Sequence, residues 1–213
     1  MRPMARRCRS IRRLTATMAD PLAPVLAALA RPGQPTSDNE LNNLPLPADR
    51  VLRPAGVLVG LIAAPDGPRI LLTKRASHLR HHPGQIAFPG GKVDPGDADA
   101  TAAALREAHE EVALPPGAAT ILGHLPEHET VTGFRVSPVV ARLAPFPPHP
   151  EAGEVDEIFT VPLAHLADLG RYRVEGRRWR GQIRHYWVVP WGPYYIWGAT
   201  ARILRALAER MAP

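Results

Sequence analysis

Residues 88–114 read FPGGKVDPGDADATAAALREAHEEVAL: a glycine pair, a loop carrying aspartates, and then three glutamates, Glu107, Glu110 and Glu111, set in a helix-forming run. Alanine and leucine favour the helical state most, so a helix is predicted from Ala102-Ala103-Ala104-Leu105 to about Leu114. Asp97 or Asp99 can cap its start, and Pro115-Pro116 stops it. Its alanines are small enough to let it lie tightly on a sheet. At about 100° per residue, Glu107 and Glu111 stand one above the other with Glu110 beside them, so all three acids are expected on one face. Like charges at these spacings repel by about 0.2–0.5 kcal/mol per pair on an exposed helix. A divalent cation held by carboxylate oxygens would offset that repulsion. Most acidic runs on helices are solvated faces. Here, however, an arginine precedes the acids, the glycine turn brings aspartates of its own, and no lysines alternate with the glutamates.

Ala55–Ala63 is a continuous apolar run of strand length and Arg69–Thr73 is another; Pro65-Asp66-Gly67-Pro68 between them predicts a hairpin. Residues 82–91 read as loop and short strand. Thr120–Leu125 and Val136–Leu143 predict further strands, followed by a proline-rich loop from Pro145 to Pro150. Arg171–Val174 and Ile183–Val189 form a late hairpin around residues 177–181, and Ala199–Met211 is an amphipathic helix with Ile203, Leu204 and Leu207 on one side. Nearer the start, Pro21–Ala30 reads as a short helix and Gln34–Arg53 as a polar arm lying on the surface. Mixed strands with well-spaced helices predict an α/β protein whose sheet is covered on both faces.

A chain of 213 residues suits one well-buried domain with attached segments. Its organisation reads as a basic leader over residues 1–20, a helix and arm over 21–50, and the main domain over 51–213. The formal charge of +6 is local, since residues 1–17 hold six arginines and no acid while the remaining chain balances 20 basic against 20 acidic residues. The high isoelectric point therefore carries little weight as a sign of nucleic-acid binding. The leader reads either as an organellar transit segment or as an extension ahead of a true start at Met18. Cys8, the only cysteine, lies in it, which fits a reducing, cytoplasmic setting without disulfides. No apolar run reaches the roughly 18–20 residues of a membrane-spanning helix.

Gly91 to Leu114 resembles the Nudix box, G-x5-E-x7-R-E-U-x-E-E-x-G-U, with U aliphatic. Arg106, Glu107, Glu110, Glu111 and Leu114 fall on motif positions. Ala108 and Ala113 replace a larger aliphatic residue and a glycine, and one extra residue separates Gly91 from Arg106, so Asp94 or Asp97 stands in for the first glutamate. Upstream, Leu71-Leu72-Thr73-Lys74-Arg75-Ala76, Arg80, Gly84 and Phe88-Pro89-Gly90-Gly91 resemble the signature of the coenzyme A pyrophosphatase branch. Thr132–Val140 and Tyr195–Thr200 are also similar to segments of that branch, so the likeness runs from about Pro54 to Leu207.

The resemblance implies a Nudix-type α/β/α sandwich with a mixed sheet, and Mg2+- or Mn2+-dependent hydrolysis of coenzyme A or its thioesters to 3′,5′-adenosine bisphosphate and a 4′-phosphopantetheine product. Glu107, Glu110 and Glu111 are the implied metal ligands, with Glu110, Glu111 and Arg106 the catalytic set. On the helical wheel Arg106 is placed away from Glu110, and it is expected to brace the loop through Asp94 or Asp97. The general base stays open between Glu110 and an acid of Glu154-Val155-Asp156-Glu157, read as a loop that could reach the cleft. Arg75 and Arg80 are the candidates for gripping phosphate, with Lys74 facing away from Arg75. Backbone amides at Gly90 and Gly91 could approach it too. His78, His81 and His82 lack a second ligand group at metal spacing and read as a solvated loop; His109 reads as exposed or hydrogen-bonded. Trp187, Trp191, Trp197, Tyr194 and Tyr195 read either as packing or as a stacking surface for adenine. Alternative activities are another Nudix reaction, on ADP-ribose, a dinucleoside polyphosphate or a nucleoside triphosphate, or a non-hydrolytic nucleotide-binding role.

Overall fold

The computed structural model describes residues 20–42, 50–179 and 181–212. Residues 1–19 of the expected leader, and residues 43–49 of the expected arm, lie outside these. In chain order the elements are α1 (Ala23–Ala30), β1 (Thr36–Ser37), β2 (Arg53–Ile62), β3 (Arg69–Arg75), β4 (Ile86–Ala87), β5 (Gly90–Lys92), α2 (Ala100–Val112), β6 (Ala119–His124), β7 (His128–Glu129), β8 (Phe134–Leu143), β9 (Val155–Pro162), α3 (Leu163–Ala167), a 3-10 turn at Leu169–Arg171, β10 (Arg173–Trp179), β11 (Gln182–Val188) and α4 (Gly198–Met211).

The apolar run at 55–63 forms the centre of a mixed sheet. β2 pairs in parallel with β8 from Arg53↔Phe134 to Ile62↔Leu143, and a strand flanked and covered in this way reads as continuously hydrophobic. The predicted hairpin closes, but β2 and β3 stay paired only at Leu61↔Ile70 and Ile62↔Arg69. Beyond the turn they part: β5 takes the other end of β2, with Val57 opposite Gly90, and β9 runs antiparallel along β3. β6 and β7 pair with β8, and β1 pairs with β7.

Side chains alternate across this sheet into two cores. Leu58, Leu71 and Val139 pack with Ala104, Ala108 and Val112 of α2 on one face. Their neighbours Val59, Leu72 and Val140 point to the other, where Val25 of α1 and Ile203, Leu204 and Leu207 of α4 cover them. The result is the α/β/α sandwich with a mixed sheet expected from sequence. α2 lies close because Gly56 faces its first turn, where a Cβ would come within 1.8 Å of the Ala100 carbonyl oxygen.

Two local readings need correction and a third gains detail. Residues 155–162 form a strand, where the sequence suggested only a loop bearing acids, because the pairing edge of β3 fixes an extended backbone that the Val-Asp-Glu start disguises. The late hairpin keeps its ladder to Trp179↔Gln182, so Arg177 and Arg178 belong to β10 and not to its turn. Within the arm, β1 joins the sheet edge, and the Asn42 side-chain amide donates to the His185 carbonyl at 2.9 Å and accepts from its N–H at 2.7 Å.

Candidate active site

Helix α2 starts where Asp99 Oδ1 accepts the Ala102 N–H at 2.8 Å, satisfying one of the free donors of a helix N-terminus. It ends at Ala113, which adopts the left-handed conformation (φ 57°) where the family motif usually has glycine. Ala103, Ala104 and Ala108 are buried, and this seats Glu111 and Glu107 against Gly90 and Gly91 of β5.

Glu111 is 3% exposed. Its Oε2 accepts the Gly90 N–H at 3.2 Å, and its Oε1 lies 3.9 Å from Arg75 Nη1 at the end of β3. Glu107 is half-buried one turn earlier. Glu154, in the loop before β9, completes a group: one oxygen from each of Glu107, Glu111 and Glu154 lies within 4.8 Å of the others. Burial, with repulsion from Glu107 and Glu154, pushes the Glu111 carboxyl up to about 7, against the lowering effects of the Gly90 N–H and Arg75. Burial also raises Glu107, opposed by Arg106.

Arg106 braces the other side of the cluster. It grips Asp97 with Nε to Oδ1 at 3.0 Å and Nη2 to Oδ2 at 2.9 Å, with Asp94 farther off at 3.7 Å. Its Nη1 donates to Glu107 Oε1 and to Glu110 Oε2, each at 3.0 Å. The bonds from Arg106 hold the Asp97 carboxyl below the usual range. The expected separation of Arg106 from Glu110 is therefore wrong: residues four apart are neighbours on a helix, and this pair is bonded. Glu110 shares Arg106 Nη1 with Glu107 and leans outward with 53% of its side chain exposed, while Glu154 joins Glu107 and Glu111 in the carboxylate group.

The remaining candidates divide. Arg75 reaches the cluster, whereas Arg80 is exposed in the loop after β3. Gly90 spends its N–H on Glu111, and Gly91 makes room, since a Cβ there would sit 2.2 Å from Glu107 Oε1. Both glycines thus shape the carboxylate cluster. His78, His81 and His82 are exposed and His109 Nδ1 pairs with the Leu114 carbonyl, 2.9 Å away. Trp187 packs under the Arg205 guanidinium, Tyr194 stacks on Phe159 at 3.6 Å, and Trp197 leans on Tyr186. Glu154 was legible only as one of several acids in its segment.

Residues 52–180 match the NUDIX domain, and the chain belongs to the Nudix hydrolase family. Among its relatives is a protein described as the uncharacterized Nudix hydrolase NudL of Enterobacter sp. (strain 638), 48% identical over 157 residues that span 73% of this chain and 81% of that one. The protein of the same description from Cronobacter sakazakii is 49% identical over the same shares. The crystal structure of a MutT/nudix family protein from Enterococcus faecalis has the same fold, with a TM-score of 0.51 over 78% of this chain and 64% of that one at 16% identity. Nudix hydrolases generally use divalent metal ions, and the donor set here, three carboxylates with one nearly sealed from water, fits a hard cation. Among the described residues no helix is long and apolar enough to cross a membrane.

Proposed function

We propose that this Nudix hydrolase cleaves the diphosphate linkage of coenzyme A and its thioesters, with Mg2+ or Mn2+, giving 3′,5′-adenosine bisphosphate and 4′-phosphopantetheine or its acyl form. One observation carries the reading. Arg75, the arginine of the upstream signature that resembles the coenzyme A pyrophosphatase branch, ends β3 at 3.9 Å from Glu111 Oε1, so signature and Nudix helix meet at one place.

In this reading Glu107, Glu111 and Glu154 hold the cation. When bound, it neutralises phosphoryl oxygens and makes a bound water more acidic. Arg75 orients the diphosphate, its planar fork matching two phosphoryl oxygens. Arg106 keeps Glu107 and the 94–97 loop in place. Glu154, the most exposed of the three acids, offers one carboxylate oxygen to that group and takes the proton of the attacking water on the other, passing it to solvent. Water adds across one P–O–P bond, leaving a phosphate monoester on each product. Glu110, tied to Arg106, serves the brace.

The test is incubation of the full chain with coenzyme A and Mg2+, with products identified by mass spectrometry. The two named products are expected. Turnover of ADP-ribose or a dinucleoside polyphosphate, with coenzyme A left intact, would overturn the substrate assignment and leave the enzyme class standing.

A further inference from the structure

The third carboxylate owes its position to an irregularity in the sheet. β9 runs beside β3 in strict register from Arg69↔Pro162 to Lys74↔Glu157; then Arg75 stands opposite Val155, and Asp156 is the extra residue of a bulge. A bulge bends its strand and re-aims the side chains beside it, and Glu154 lies immediately beyond. Asp156 Oδ2 accepts two hydrogen bonds from Ser77, from the backbone N–H at 3.0 Å and from Oγ at 2.6 Å. The adjoining Ala76 N–H donates to the Glu154 carbonyl at 2.9 Å. Since Ser77 follows Arg75 by two residues and Asp156 follows Glu154 by two, this carboxylate ties together the chain ends that bear both groups. On its other side the loop rests on α2, with the His149 and Glu151 N–H groups donating to the Val112 and Glu111 carbonyls at 3.2 and 3.1 Å. Glu154 is thus suspended between two anchors, and Asp156 supplies a side-chain tie in one of them.

We propose that Asp156 is a positioning residue: through Ser77 it pins the β9 bulge and so holds Glu154 facing Glu107 and Glu111. This rests on the reading of Glu154 as one of the cation-holding carboxylates. An isosteric acceptor can make the same two bonds, whereas a methyl group cannot.

The experiment is calorimetric titration of Mn2+ into the metal-free full chain carrying Asp156→Ala, Asp156→Asn, Ser77→Ala or Glu154→Gln, with thermal unfolding recorded in chelator. Loss of a group that orients a metal ligand typically weakens affinity about 10–100-fold, and Asp156→Ala is expected to show about the lower figure, with little change in metal-free melting temperature. Asp156→Asn should stay within about threefold of wild type, since its amide oxygen accepts the Ser77 bonds. Adding Ser77→Ala to Asp156→Ala should weaken binding no further, because Asp156→Ala has already lost both bonds and Ser77→Ala removes only the one from Oγ. Wild-type affinity in Asp156→Ala, beside a weakened Glu154→Gln, would overturn the positioning role alone, as would equal losses in the Asn and Ala variants. Wild-type affinity in Glu154→Gln would instead remove Glu154 from the site and the proposal with it. Should Asp156→Ala fail to fold, Ser77→Ala decides, with weakened binding expected and wild-type binding contradictory.

Discussion

Replacing Glu111 with glutamine should make the metal-free protein more stable and the enzyme inactive. The carboxyl titrates at about 7 in the fold against an ordinary value of 4.5. Between those values the folded state keeps a proton that the unfolded chain has lost. The stabilisation tied to that proton is therefore complete below about pH 4.5 and is lost as pH rises through about 7. At 1.36 kcal/mol per tenfold change in proton affinity, the buried charge costs the fold on the order of 3 kcal/mol at about pH 8. Glutamine carries no such cost, and its side-chain oxygen can still accept the Gly90 N–H. For a domain of this size about 3 kcal/mol corresponds to roughly 6–12 °C in melting temperature. Thermal unfolding in chelator should thus show Glu111→Gln melting well above wild type at about pH 8, with the gap closing near about pH 4.5. Saturating Mn2+ should then raise the wild type, by about 2.7 kcal/mol at a hundredfold excess over Kd, and hardly move the variant. Hydrolysis should fall by about a thousandfold, the scale of losing several kcal/mol of transition-state stabilisation. A variant no more stable than wild type at the higher pH would refute the claim that Glu111 is a desolvated charge awaiting a cation.

Gly91→Ala should push Glu107 aside, because the new methyl would overlap its carboxylate; Mn2+ affinity measured by calorimetry is expected to fall about tenfold or more, and an unchanged Kd would contradict the packing. Arg106→Lys keeps the charge but loses the fork that binds Asp97, Glu107 and Glu110. Urea unfolding should reveal a loss of about 1–3 kcal/mol, and wild-type stability would show that the brace is idle. Arg75→Ala should raise KM for coenzyme A by about 10–100-fold, the loss of one charge-assisted contact, in steady-state assays; an unchanged KM would remove this arginine from substrate binding.

Much of the site was legible because helical spacing is regular. An aspartate cap at Asp97 or Asp99, the alanine face, and Glu107 stacked under Glu111 all follow from local chemistry. What escaped depended on contacts between distant segments. Arg106 could reach Asp97, Glu107 and Glu110 together, and the wheel misplaced the last of these. Four acids lie between Glu151 and Glu157, and nothing in their spacing says which one turns toward the helix. That choice is made by the bulge at Asp156, which arises only when β9 is laid against β3. Equally hidden was the use of Gly90 and Gly91: a glycine pair before a helix suggests backbone approach to a ligand, but here the space is filled by Glu111 and Glu107. The parallel pairing of β2 with β8 likewise joins residues about eighty apart, beyond the reach of any local pattern.

The most direct test of the account is the anomalous difference map of crystals soaked in Mn2+. A peak bonded to Glu107, Glu111 and Glu154, with oxygen ligands at the distances of a hard divalent ion, is expected. A protein that turns over its substrate with Mn2+ while the ion sits elsewhere, with these three carboxylates unligated, would contradict it.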